Sequence, residues 1–88
     1  MNNSSLTEMA AKAIGNAPEG FSPLTDDGDC ARMEAALGID VKWYKSGVIA
    51  HIRDTGIQSE VFINHASDKN AARRAASVAI AVEIWRLM

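Results

Sequence analysis

Three groups of side chains in this 88-residue chain have types and spacings that bear on chemistry. The first is the acidic run Asp26, Asp27 and Asp29. A calcium-binding helix–loop–helix would need alternating ligands closed by a glutamate at the twelfth position. Counting from Asp26 or Asp27 arrives at Leu37 or Gly38, so that pattern fails. The same carboxylates at the start of a helix suit its positive end, and a capping role without a metal is expected. The second group is the imidazoles His51 and His65. A general base needs a partner acid and a water or nucleophile within reach. Glu60 falls across a hairpin from His51 on the same face, which predicts a salt bridge rather than an active site. Cys30 with either histidine would make a thiol dyad on paper. It shares an apolar stripe with Met33 and Leu37, however, where a thiol behaves as a small hydrophobe. The third group is Lys69, Arg73 and Arg74, with Lys69 and Arg73 on one helical face at i and i+4. With Lys45 they form the candidate phosphate-binding set. Gly15 and Gly20 are not followed by the lysine–serine or lysine–threonine pair of a phosphate loop. No catalytic residue, metal ligand or cofactor site is therefore expected, and the chain reads as a non-enzyme.

The totals constrain the classes further. Apolar residues make up 48% and charged residues 23%, which is globular rather than disordered composition. The formal net charge of −2 argues against a general nucleic-acid binder but leaves room for a local basic patch. A single cysteine can form neither an internal disulfide nor a cysteine zinc cluster, and it fits a reducing compartment. Thr7, Glu8 and Lys12 interrupt the segment Leu6–Ile14, so it does not read as a signal peptide. The apolar window Ala75–Leu87 is short for a bilayer and carries Glu83. A cytoplasmic location and no membrane partner are expected.

These residues need elements to position them. Residues 1–20 read as a tail and a short helix, and 21–88 as a single α+β domain. Ser5 and Glu8 have capping-box spacing before Leu6, Met9, Ala10, Ala13 and Ile14. Gly15 and Pro18 end that helix. Phe21 and Leu24 anchor a linker, Thr25 caps a second helix bearing Cys30, Met33 and Leu37, and Gly38 stops it. Strands are expected over Ile39–Tyr44, Val48–Arg53 and Ile57–Asn64, joined by Lys45-Ser46-Gly47 and Asp54-Thr55-Gly56. A final helix runs from Asp68, capped by Ser67 or Asp68. The expected fold is thus α+β, a three-stranded antiparallel meander with two or three helices packed on it, in the order α-α-β-β-β-α.

Alternation assigns the sheet's faces. Val41, Trp43, Val48, Ala50, Ile52, Val61 and Ile63 should meet the helices. The opposite face carries Lys42, Tyr44, Ile49, His51, Arg53, Glu60, Phe62 and Asn64. Tyr44, Ile49 and Phe62 are large residues that would meet water unless something covers them. The last helix raises the same question. Val78, Val82 and Trp85 line one side, while Ile80, Ile84 and Leu87 line the other. A homodimer through Tyr44, Ile49, Phe62, Val78, Val82 and Trp85 would hide this surface; the first helix folding over the last is the competing solution.

One string is distinctive: Phe21-Ser22-Pro23-Leu24-Thr25-Asp26-Asp27-Gly28-Asp29-Cys30-Ala31-Arg32. With Ala71-Ala72-Arg73-Arg74-Ala75 further on, it resembles small uncharacterised bacteriophage and prophage proteins over roughly residues 21–88. That resemblance implies a phage or prophage origin and an α+β domain, and brings no activity with it. Gly28 in the first helical turn costs propensity. That predicts a close backbone approach there by the last helix or Trp43, and makes Gly28, Asp29 and Arg32 the first place to look for a ligand. Asp29 and Arg32 are expected to pair with each other. The helix–three strands–helix order also resembles the double-stranded RNA-binding domain, whose last helix opens with a basic cluster against the phosphates. Lys69 and Ala71 match that cluster, while Asp68 and Ala72 stand where it has lysines. The expected role is an accessory protein working through protein–protein contact as a homodimer, with duplex nucleic-acid binding through Lys45, Lys69, Arg73 and Arg74 as the alternative.

Overall fold

A computed structural model describes residues 3–53, 60–64 and 68–87. Three helices, α1 (Asn3–Ile14), α2 (Asp27–Leu37) and α3 (Lys69–Leu87), accompany three strands, β1 (Ile39–Trp43), β2 (Gly47–Ile52) and β3 (Glu60–Asn64). The order is α-α-β-β-β-α, and the strands form one antiparallel sheet in the order β1-β2-β3, as the alternation and turns predict. The turn expected at Asp54-Thr55-Gly56 and the first residues of the third strand lie outside the described residues, as do His65 and Ser67.

Register fixes the faces. Val41, Ala50 and Val61 align across the sheet, as do Trp43, Val48 and Ile63, and these rows point toward the helices. Lys42, Ile49 and Phe62 align on the other side, next to Asp40, His51 and Glu60. Trp43 is a partial departure from expectation: at the end of its strand it stays 49% exposed.

Helix α3 lies at the centre, in contact with α1, α2 and all three strands. This decides the question its two apolar sides posed. Ile80 (0%), Val78 (1%) and Val82 (3%) are all buried within one subunit. Trp85 is partly covered, with the Lys12 ammonium of α1 lying 5.5 Å from its ring centroid. Val78 and Val82 therefore do not form an outer surface for a second subunit. The alanines Ala72, Ala76 and Ala81 let neighbouring elements approach closely along the middle of the helix, while Leu87 at its end stays 59% exposed.

Several caps differ from expectation by a residue or two. Helix α1 starts at Asn3, which places Ser5 inside the helix rather than at its cap, and Glu8 pairs with Lys12 at 3.6 Å. The cap of α2 is Asp26, whose Oδ1 accepts from the Asp29 N–H at 3.0 Å, while the Thr25 hydroxyl donates to Ser22 instead. Asp26 has the extended backbone that a cap requires. Asp68 caps α3 through its Oδ1 and the Ala71 N–H, at 3.0 Å. Gly38, left-handed at φ +70°, ends α2 and turns the chain straight into β1, its N–H donating to the Glu34 carbonyl.

Candidate functional site

Charged side chains gather where α2 meets α3. Glu34 lies on the α2 stripe beside Cys30 and Met33, so the helix carries its carboxylate into the core, where only 9% of the residue is exposed. There Glu34 accepts from Arg73 twice, from Nε at 3.1 Å and from the terminal nitrogen at 2.5 Å. The hydroxyl of fully buried Ser77 donates to the same carboxylate at 2.5 Å, and the Cys30 thiol lies 3.6 Å away. A bidentate pair of this kind is strong and geometrically specific. The Glu34 carboxylate in turn raises the already high pKa of the Arg73 guanidinium.

A second clasp joins the same two helices. Arg74 donates from Nε to the Leu24 carbonyl at 2.8 Å and from NH1 to Asp27 at 2.6 Å. A third set closes the start of α2. Asp29 accepts from Arg32 and, at 2.8 Å, from the Ser22 N–H, and these contacts hold its carboxyl below the usual range. The expected Asp29–Arg32 pair is present. The close approach predicted at Gly28 is local, however. A Cβ there would meet Asp26 Oδ1 at 3.1 Å and the Arg32 guanidinium at 3.3 Å, not α3 or Trp43. The glycine leaves room for its own helix's cap and ion pair.

These contacts redefine the residues expected to do chemistry. Asp26, Asp27 and Asp29 serve a cap, a clasp and an ion pair. Among the described residues no group of three or more histidine, cysteine or acidic side chains is placed to hold a metal. Cys30 is buried, and desolvation, aided by Glu34, pushes its thiol up to about 12, far from a nucleophile's range. Register places His51 opposite Glu60. The imidazole nevertheless turns Nε2 into the protein, where it makes no hydrogen bond, so the expected salt bridge is not formed.

Of the candidate phosphate ligands, Lys45 and Lys69 are exposed. Arg73 and Arg74 are committed to Glu34 and Asp27, so the four cations do not form one open phosphate-binding set. The sequence flagged both arginines but not Glu34. The available signal was a lone carboxylate one turn beyond Cys30 on an otherwise apolar stripe, a position that needs a cation from elsewhere in the fold.

The other concentration of exposed side chains lies on the sheet's outer face. Tyr44 and Phe62 are each 49% exposed, with partly buried Ile49 between the strands. Phe62 also has an internal task. A Cβ on Gly47 would overlap the Phe62 ring and sit 2.6 Å from the Ile63 carbonyl oxygen, so this ring covers a glycine in the neighbouring strand. At the edge of this face Arg53 donates twice to Asp40, at 2.9 and 2.7 Å, lowering the pKa of that carboxyl.

A groove of about 550 Å³ separates α1 from the linker, bordered by Thr7, Glu8, Ala11, Pro18 and Phe21. It brings together hydroxyls and apolar carbons but no set of reacting groups. No protein family, curated protein or solved structure matches this chain. Among the described residues no helix is long and apolar enough to cross a membrane.

Proposed function

We propose that this chain is a phage or prophage accessory protein that acts through protein–protein contact, as a homodimer, using its open sheet. The observation that carries this reading is the half-exposed pair Tyr44 and Phe62, flanking Ile49 on a face that none of the three helices covers. Aromatic residues at the centre of a patch with a polar rim are what protein contacts use for anchoring. Here Lys42, Asp40, Glu60 and Asn64 supply the rim. The phage origin rests on the helix-capping string from Phe21 to Arg32. The nucleic-acid alternative retains Lys45 and Lys69, but its two arginines already have carboxylate partners inside the protein.

Light scattering coupled to gel filtration tests the reading. A dimer at micromolar concentration supports it, and a strict monomer at high micromolar concentration overturns it. Titration with duplex RNA and DNA at two salt concentrations addresses the alternative, since phosphate contacts weaken steeply with salt. Tight, salt-dependent binding there would replace the protein-contact reading.

A further inference from the structure

We infer that the dimer forms by antiparallel pairing of strand β1 with β1 of a second copy, extending each sheet into one continuous six-stranded sheet. The inference rests on the homodimer reading above but places the contact at the sheet's edge, which leaves the Tyr44 and Phe62 face of both subunits open on one side of the joined sheet. β1 is an edge: among the described residues it has β2 on one side and no strand on the other. The ladder tells which backbone groups face outward. The Arg53 N–H donates to the Gly38 carbonyl and the Tyr44 N–H to the Gly47 carbonyl, so even-numbered residues of this segment bond to β2. In an antiparallel ladder such pairs alternate. The amide and carbonyl of Val41 therefore point to the open edge.

The sequence of β1 is self-complementary about that residue. Ile39-Asp40-Val41-Lys42-Trp43, set antiparallel against itself with Val41 opposite Val41, places Asp40 against Lys42 twice and Ile39 against Trp43 twice. Parity agrees with this register. Val41 falls in a hydrogen-bonded pair across the two-fold axis, and Asp40 and Lys42 fall in the closer, non-bonded pairs where side chains interact best. The Trp43 ring, half exposed in one subunit, gains an apolar neighbour. Both Arg53 bonds to Asp40 reach Oδ1, so the incoming ammonium joins an existing charge cluster without displacing it. β3 offers no equivalent: folded about Phe62 it sets Glu60 against Asn64, with no opposite charges. A lysine that merely guarded the edge against pairing would predict the opposite outcome in the experiment below.

The test is charge exchange, read by light scattering and by mass-tagged mixing. Lys42→Glu alone faces each new acid with Asp40 and should weaken the dimer by about tenfold or more; Asp40→Lys alone should do the same with two lysines. An equimolar mixture of the two variants restores both opposite-charge pairs and should form the heterodimer in preference to either homodimer. Val41→Pro removes an outward N–H without breaking a bond to β2, a change edge strands accept; it should give a folded monomer even if Asp40→Lys folds poorly. If the unaltered protein dimerises but Lys42→Glu and Val41→Pro leave that dimer unchanged, edge pairing is overturned while the protein-contact reading stands. If the unaltered protein is a strict monomer, both fall.

Discussion

Replacing Glu34 with alanine should remove more stability than any other single change to a charged side chain on α2. The carboxylate satisfies three donors on α3: two on Arg73 and one on Ser77. Ser77 is fully buried, so its hydroxyl would lose its acceptor with no water at hand, at about 1–3 kcal/mol. Arg73 keeps 23% of its side chain exposed and recovers part of its hydration. Breaking one side of a buried ion pair costs about 3–5 kcal/mol; the partial exposure of Arg73 places this case near the lower end, at about 3 kcal/mol. Alanine's better helix propensity returns only a few tenths of a kcal/mol. A domain of this length holds roughly 4–13 kcal/mol in all, and each kcal/mol moves the midpoint by about 4–8 °C. The thermal midpoint should therefore fall by roughly 12–24 °C. Urea unfolding followed by the fluorescence of Trp43 and Trp85 measures the change. Glu34→Gln should cost less, about 1 kcal/mol, because it keeps an acceptor while losing the charge. The double variant Glu34→Met, Arg73→Met should recover most of the loss, since apolar residues can replace a buried pair at little cost. A loss below about 1 kcal/mol for Glu34→Ala, or simple additivity in the double variant, would refute the claim that this cluster ties α2 to α3.

The carboxyls of Asp29 and Asp40 have lowered pKa values, through Arg32 with the Ser22 N–H and through Arg53 respectively. Their contribution is complete above the unfolded value near 3.8 and is lost as pH falls through the lower folded values; Asp29→Asn should flatten the acid limb of a stability–pH curve, and an unchanged limb would contradict this. Gly47→Ala should cost about 1–3 kcal/mol by urea unfolding: the Phe62 ring can turn aside from the new methyl, but the Ile63 carbonyl cannot. Cys30, buried with its thiol pushed up to about 12, should resist alkylation in the native protein at pH 8 and react only at the rate of unfolding; rapid labelling would show the thiol is accessible.

The meander and the order of elements were legible because they depend on local signals. Alternation from Ile39 to Trp43 and Gly47 to Ile52, the stop at Gly38 and the turn at Lys45-Ser46 act within a few residues of themselves. The inward and outward rows of the sheet follow from the same two-residue period. The ends of the helices were less legible. Ser, Thr and Asp side chains compete for adjacent cap positions, and here Asp26 prevailed over Thr25 by the geometry of one hydrogen bond. Candidate site residues were recognisable by type alone. The arginines at 73 and 74 announced positive charge, but nothing near them in the chain indicated that Glu34 and Asp27 would occupy them.

The amino-acid sequence by itself determined that this is a small α+β domain with an acid-capped second helix, a buried thiol and an aromatic outer sheet face. Each of those properties arises from neighbours in the chain. Only the tertiary structure decided what covers α3 and where its cations go. Ile80 and Val78 point to opposite sides of one helix, and both are hidden because α1 and α2 pack around α3 with the sheet, an arrangement no helical period encodes. Glu34 and Arg73 lie 39 residues apart and meet only when two helices dock. Charge is a property of residues, whereas its availability to a partner depends on which opposite charges the fold brings beside it.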